Sequence, residues 1–248
     1  MNAQKLQMRE TAVLEQKDTF AAVDAYIARQ MTHLNVQGAA LAIVQNGRIV
    51  HMRGFGRAGA GGETPTAQTP FWIGSLTKSV TALAVMQLVE AHKIDLDAPV
   101  QRYLPWFRMA DAQASVRITV RHLLHQTSGL PTSAGESQLA DPDARPDATE
   151  RQARALQTTT LAHEVGKTFE YSNANYNLLG LIVEAASGET YADYVQTHIF
   201  DPLDMGHTYT SPAAAQQNGL ALGYRYWFAV PRPAPTLPAP HGSLPAGL

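Results

Sequence analysis

No cysteine occurs among the 248 residues, which excludes a disulfide framework, a cysteine-based zinc site and a thiol nucleophile. Charge is also scarce: Asp, Glu, Lys and Arg make up 16% of the chain and leave a formal net charge of -2. No Lys/Arg run appears, so there is no basic field to attract phosphate backbones, and nucleic acid is not an expected partner. Nor does any stretch reach the ~18 consecutive apolar residues of a membrane helix. The longest candidates are Ala39 to Val44 and Leu178 to Val183, and no membrane segment is expected in this chain. Met1 to Asp18 is polar and lacks the apolar region, roughly 7 to 15 residues long, of a signal peptide. What is present is a globular composition, 45% hydrophobic. At roughly 100 to 200 residues per domain, this length makes one large domain or two small ones.

Phe20, Val23, Ile27 and Met31 recur at spacings of three and four, which predicts a helix with one apolar face. Ala39 to Phe55 is rich in Ala, Ile and Val and is interrupted by Asn46-Gly47, a pair that tolerates the positive backbone angles of a two-residue hairpin turn. Two antiparallel strands are expected there. A Gly-rich loop, Gly54 to Gly62, precedes a stretch opened by Ser75. In that stretch Leu76, Val80, Leu83 and Met86 or Val89 recur at helical spacing, predicting a buried helix of about four turns. Thr119 is an N-cap candidate for a helix over Val120 to His125, stopped by Gly129 and Pro131. Ala134 to Gln157 is polar and punctuated by Pro and Asp, so it reads as a surface excursion. Asn173 to Ala186 is helical, with Tyr176, Leu179, Ile182 and Val183 on one face and Gly188 at its end. Tyr191 to Phe200 makes another helix. Pro231 to Leu248 carries six prolines, too many for regular structure.

Gly54-Phe55-Gly56-Arg57-Ala58-Gly59 has the spacing of a dinucleotide fingerprint. Its context fails, because a phosphate loop must open directly into a helix, and Gly61, Gly62, Pro65 and Pro70 prevent one. His122 and His125 share a helix face, and His163-Glu164 begins like a zinc helix, but neither has a complete ligand set. Helix-end histidines bonded to local backbone are expected, with no metal and no organic cofactor.

Ser75-Leu76-Thr77-Lys78 carries the chemistry. Residues three apart at a helix start share a face, so the Lys78 amine can reach the Ser75 hydroxyl, and the helix N-terminus favours negative charge developing there. A serine alcohol needs a base as it attacks a carbonyl. Lys78 would serve if its pKa fell from about 10.4 toward 7, which burial and a nearby positive charge can bring about. Tyr171-Ser172-Asn173 is the second constellation: a phenol can act as general base and then acid, and an amide can orient Lys78 and bind a substrate carbonyl. Chance alone would give roughly 0.2 Ser-x-x-Lys and 0.25 Tyr-x-Asn occurrences at this composition, so each is only suggestive alone. No Gly-x-Ser-x-Gly elbow is present, which counts against an α/β-hydrolase.

Together these segments resemble the serine β-lactamase and penicillin-binding-protein superfamily, especially the branch of class C β-lactamases, D-Ala-D-Ala peptidases and β-lactamase-like esterases. The similarity spans nearly the whole chain. It includes Phe71-Trp72-Ile73-Gly74 leading into Ser75, Ile94 to Val100 with Tyr103-Leu104-Pro105 after it, His122 to Pro131, and Tyr171 to Tyr176, in family order. The resemblance implies an α/β (α+β) fold: an antiparallel sheet flanked by helices plus a helical domain. The expected boundaries are 1–100 for the first part of the sheet domain with the nucleophile helix, 101–228 for the helical domain, and 229–248 for a Pro-rich segment. It assigns Ser75 as the nucleophile forming an acyl-enzyme, Lys78 and Tyr171 as the proton-transfer pair, and Asn173 as a substrate-binding and positioning residue. Whether Lys78 or ionised Tyr171 takes the first proton is open at this level. The backbone N–H of Ser75 and one from a later strand would form the oxyanion hole.

The family's third motif, Lys/His-x-Gly on a strand, is not found; His241-Gly242-Ser243 has the wrong shape and sits among prolines. Leu244 to Leu248 resembles the family segment leading back toward the sheet. The chain is therefore expected to stop short of its last strands, and to be weakly active or aggregation-prone as it stands. The implied substrate is an ester, a β-lactam or a D-alanyl peptide, and the implied location is outside the cytoplasm. The alternative is a non-catalytic peptidoglycan-binding or scaffold protein that keeps the fold. A scaffold has no use for a costly buried amine beside a serine.

Overall fold

A computed structural model describes residues 20–59, 61–140, 145, 147–228, 230–234 and 244–245. The segment read for a leader, the His241-Gly242-Ser243 triplet and most of the Pro-rich terminus lie outside the described residues. The chain divides into two compact units, residues 1–71 with 217–237 and residues 72–216 with 238–248.

In the first unit, helix α1 (20–34) precedes β1 (Gly38–Gln45) and β2 (Arg48–Gly56). Its inward stripe is the one the spacing predicts, and Phe20 stacks on the β2 residue His51 at 4.7 Å. From the same turn of α1, Asp24 accepts hydrogen bonds from His51 Nε2 at 2.8 Å and Arg53 Nη1 at 2.6 Å. β1 and β2 pair antiparallel around Asn46 (φ 52°) and Gly47 (φ 70°), the positive angles that the hairpin turn demands. A second hairpin joins β3 (Gly223–Trp227) to β4 (Val230–Ala234). This corrects the reading of Pro231 to Leu248 as wholly irregular. Pro231 and Pro233 oppose Tyr226 and Tyr224 at alternate positions, so both donor-less nitrogens face away from β3 and interrupt no bond of the ladder.

The second unit is helical: α2 (Thr77–Glu90), α3 (Ala112–Ser115), α4 (Val120–Leu124), α5 (Thr132–Ala140), α6 (Ala148–Ala155), α7 (Asn173–Ser187), α8 (Tyr191–Val195) and α9 (Pro212–Gln217). Two short helices, α5 and α6, thus occupy much of what reads from sequence as an excursion. α7 is central and packs against α2, α4, α5, α6 and α8. Ten successive residues of it, Ala174 to Val183, are buried, so it is enclosed on every side and not on one face alone. Leu178, Leu179 and Ile182 are fully buried, each worth about 1.5–3 kcal/mol of apolar transfer. Gly188, at φ 83°, ends the helix in the left-handed conformation that glycine adopts without strain. α8 continues into a wider turn, Gln196–Phe200, closed by Asp201 N–H on Gln196 O at 2.9 Å.

The face of α2 also needs correction. Leu76 is 70% exposed, and Leu83 and Met86 are exposed too. The buried side is Thr77, Lys78, Thr81, Ala84, Val85 and Leu88. Polar side chains can take inward positions when they are hydrogen-bonded, and Thr81 shows how: its Oγ1 lies 2.7 Å from the Tyr191 hydroxyl and donates to Pro245 O at 2.6 Å. Among the described residues no helix is long and apolar enough to cross a membrane.

Candidate active site

Ser75 sits in a single 3-10 turn, Gly74–Leu76, that feeds directly into α2. Gly74, at φ 52°, makes the sharp entry and leaves the Ser75 side chain exposed. Lys78 lies one turn further on, and its side chain runs inward until the residue is only 8% exposed. Its Nζ donates to Ser75 Oγ at 3.1 Å and to Asn173 Oδ1 at 2.7 Å. The ammonium position is lined by aromatic faces, 4.9 Å from the Tyr171 ring centroid and 5.6 Å from that of Tyr176, an arrangement that favours a cation.

Tyr171 and Asn173 arrive from a different part of the chain. Ser172 is extended (φ -141°, ψ 125°), and α7 begins at Asn173, so the two side chains on either side of Ser172 both approach Ser75 and Lys78. The Tyr171 hydroxyl is 2.7 Å from Ser75 Oγ. All four residues singled out in the sequence are therefore joined by hydrogen bonds within one helical unit. Burial raises the proton affinity of the Tyr171 hydroxyl, but hydrogen bonds from Lys78 and Ser75 and the charge of Lys78 outweigh it, and the net pKa falls below the ordinary 10.0. Tyr176, deeper in, moves the other way: burial and the neighbouring Tyr171 raise its pKa.

Of the supporting residues, Glu170, Thr132 and Gly135 carry no signal of chemistry in the sequence. Glu170 accepts Thr132 N–H at 2.9 Å and is paired with His163 Nε2 at 2.8 Å. The Thr132 backbone bond is the largest influence holding its carboxyl below the usual range; burial opposes it, and His163 adds to it. Gly135, buried in α5, is where that helix meets the start of α7: a Cβ there would lie 2.4 Å from Asn173 N. His122 does what the sequence reading expects of a helix-end histidine. Its Nδ1 accepts Thr119 N–H at 3.2 Å while Thr119 Oγ1 accepts His122 N–H at 3.3 Å, a reciprocal cap on α4. Among the described residues no cluster of His, Asp and Glu is arranged to hold a metal ion.

The family model for beta-lactamase matches residues 23–247. The chain belongs to the beta-lactamase family. Among curated relatives, this beta-lactamase-family chain is 31% identical over 218 residues to protein flp of Staphylococcus aureus (strain MW2), covering 86% of itself and 43% of that protein. It is 30% identical over 205 residues to the teichoic acid D-alanine hydrolase of Staphylococcus aureus, covering 82% of itself and 47% of the relative. The chain thus spans about half the length of the curated relatives it matches. Of solved structures, the octameric penicillin-binding protein homologue from Pyrococcus abyssi superposes with a TM-score of 0.80 at 30% identity, over 92% of this chain and 52% of that one. The fold is that of the β-lactamases and penicillin-binding proteins.

Proposed function

We propose that the protein is a serine acyl hydrolase that works through an acyl-enzyme on Ser75. The observation that carries this reading is the continuous chain of hydrogen bonds Tyr171–Ser75–Lys78–Asn173. A surface serine bonded to both an amine and a phenol with lowered pKa is a nucleophile with its proton acceptor in place. Tyr171 is the first base in this scheme. As phenolate it takes the Ser75 proton while Oγ attacks the substrate carbonyl carbon, and Lys78, held as a cation by Asn173, stabilises the phenolate.

The negative charge on the carbonyl oxygen is met by the Ser75 backbone N–H at the start of the helix. Collapse of the tetrahedral intermediate breaks the bond to the leaving group, which takes the proton back from Tyr171. Water, deprotonated by the same tyrosine, then attacks the acyl-serine, the bond to Ser75 Oγ breaks as Oγ takes that proton from Tyr171, and the acid is released with Ser75 and the phenolate restored. Asn173 binds substrate through its amide and fixes Lys78 through Oδ1. The substrates this chemistry suits are an ester, a β-lactam or a D-alanyl peptide. The D-alanine hydrolase among the relatives supports a D-alanyl acyl group.

The test is intact-protein mass spectrometry after incubation with a fluorescent penicillin and, separately, a chromogenic short-chain ester, on the wild type and Ser75→Ala. A mass increase mapping to Ser75 and absent from a folded Ser75→Ala protein is expected. Equal labelling of the two proteins would sink the proposal.

A further inference from the structure

Tyr171 must hold its hydroxyl against Ser75, yet residues 170–172 belong to no helix or strand. The residue itself is 38% exposed. The bonds that hold this stretch come from the segment that follows α4. Gln126 is only 5% exposed and has a left-handed backbone, φ 58°. Its main-chain O accepts Glu170 N–H at 2.8 Å, and its Oε1 accepts Ser172 N–H at 3.0 Å. The same Oε1 also accepts from Asn175 Nδ2 at 2.5 Å, and Asn175 Oδ1 is held in turn by Ser128 Oγ at 2.6 Å. Two donors converging on Oε1 fix which way the amide points. The peptide before Glu170 and the peptide after Tyr171 are therefore both tied to Gln126. Thr132 adds a lighter tie, its Oγ1 donating to Tyr171 O at 2.6 Å.

We propose that Gln126 is the positioning residue of the site: its main-chain and side-chain oxygens clamp the chain before and after Tyr171 and so hold the phenol over Ser75. Gln126 acts through Tyr171 and Asn173 and touches no reacting atom. The inference rests on the acyl-enzyme reading. A positive φ is uncommon for a residue other than Gly, Asn or Asp. Asn would sit there with less strain, but its carbonyl is one methylene too short to reach Ser172. A backbone cost retained for the sake of reach marks a functional constraint. Misplacing a reacting group by about 1 Å can cost 10²-fold in rate. The titratable and charged groups around Tyr171 are Lys78 from α2 and Tyr176 from α7, with Glu170 and its partner His163 beside the backbone. When Tyr171 drifts from Lys78, it loses the interaction that favours its phenolate.

The experiment compares the full chain with Gln126→Asn and Thr132→Val. Two readouts are taken across roughly pH 6 to 11: the rate of Ser75 acylation by a fluorescent penicillin, and the titration of Tyr171 by ultraviolet difference against each protein's Tyr171→Phe counterpart. Both are scaled to the folded fraction from circular dichroism. Gln126→Asn should acylate about 10- to 100-fold more slowly, with the Tyr171 titration and the acylation limb both displaced to higher pH. Thr132→Val should move both in the same direction by less. A residue that merely seats the left-handed turn would give an Asn variant at least as good as wild type, with the titration unmoved, and that result overturns the proposal. If Gln126→Asn does not fold, Thr132→Val decides, an unmoved titration again overturning it. Absence of any Ser75 adduct in the wild type would count against the acyl-enzyme reading instead, while the Tyr171 titration would still report on the clamp.

Discussion

The Tyr171 hydroxyl lies 2.7 Å from Ser75 Oγ, although 96 residues separate the two in the chain. The short approach spans the start of α2 and the start of α7, two helices packed against each other. A local motif and a distant one are thereby joined by hydrogen bonds. Tyr171→Phe keeps the ring and removes only the hydroxyl, so the protein should melt as wild type does and acylate about 10²- to 10⁴-fold more slowly. Stopped-flow labelling of the folded variant at the wild-type rate would take Tyr171 out of the mechanism.

The pH dependence has a definite sign. Burial raises the Tyr171 pKa, the hydrogen bonds from Lys78 and Ser75 and the Lys78 charge lower it, and the net value is below 10.0. In the proposed mechanism the reacting form is the phenolate, so acylation should rise with pH along a limb centred below 10.0. Lys78→Met removes the hydrogen bond and the charge, and should shift that limb upward as well as slow the reaction. The check is a pH–rate profile for both proteins; a limb in the same place in each would show that Lys78 does not tune Tyr171.

Gly135→Ala should separate stability from activity. Alanine in a helix interior ordinarily gains up to about 1 kcal/mol over glycine. Here its Cβ would sit 2.4 Å from Asn173 N and 2.9 Å from Asn173 Cβ, so α5 and the first turn of α7 must move apart. Since Asn173 fixes Lys78, the acylation rate should fall by about tenfold or more, while thermal unfolding shows no gain. A variant that is both more stable and fully active would mean the contact has slack.

The cap on α4 gives a stability prediction. Thr119→Ala removes the side-chain acceptor for His122 N–H and should cost about 1 kcal/mol, read as a lowered unfolding midpoint. His122 has its pKa lowered from 6.5, first by burial, with Arg121 and His125 adding to it and the Arg117 backbone and Asp97 opposing. The folded state thus prefers neutral His122. Its contribution is complete above pH 6.5 and is lost as pH falls below that value, when protonation of Nδ1 removes the acceptor for Thr119 N–H. His122→Gln should lose part of the acid sensitivity that wild type shows in melts between roughly pH 7 and 5.

The parts of the site legible in the sequence are those where spacing alone decides geometry. Ser75 and Lys78 are one helical turn apart, and Tyr171 and Asn173 flank an extended residue, so each pair is local. Which face of α2 turns inward was not legible from hydrophobicity, because Thr77, Lys78 and Thr81 occupy inward positions while Leu83 and Met86 stay exposed. A functional face breaks the binary pattern in this way. Gln126 lies in the His122 to Pro131 segment that carries the resemblance, but its contacts, like those of Gly135, were not legible for another reason. One supplies a carbonyl and the other the absence of a side chain, and neither need has a characteristic residue spacing.

The two prolines of β4 give that hairpin a direction. With Pro231 and Pro233 both opposite β3 tyrosines, the outer margin of β4 lacks two donors in a row of alternate positions. A strand approaching from that side finds an incomplete ladder, whereas β3 contains no proline. Among the described residues, the outer margin of β4 thereby offers fewer backbone donors to an approaching strand than that of β3.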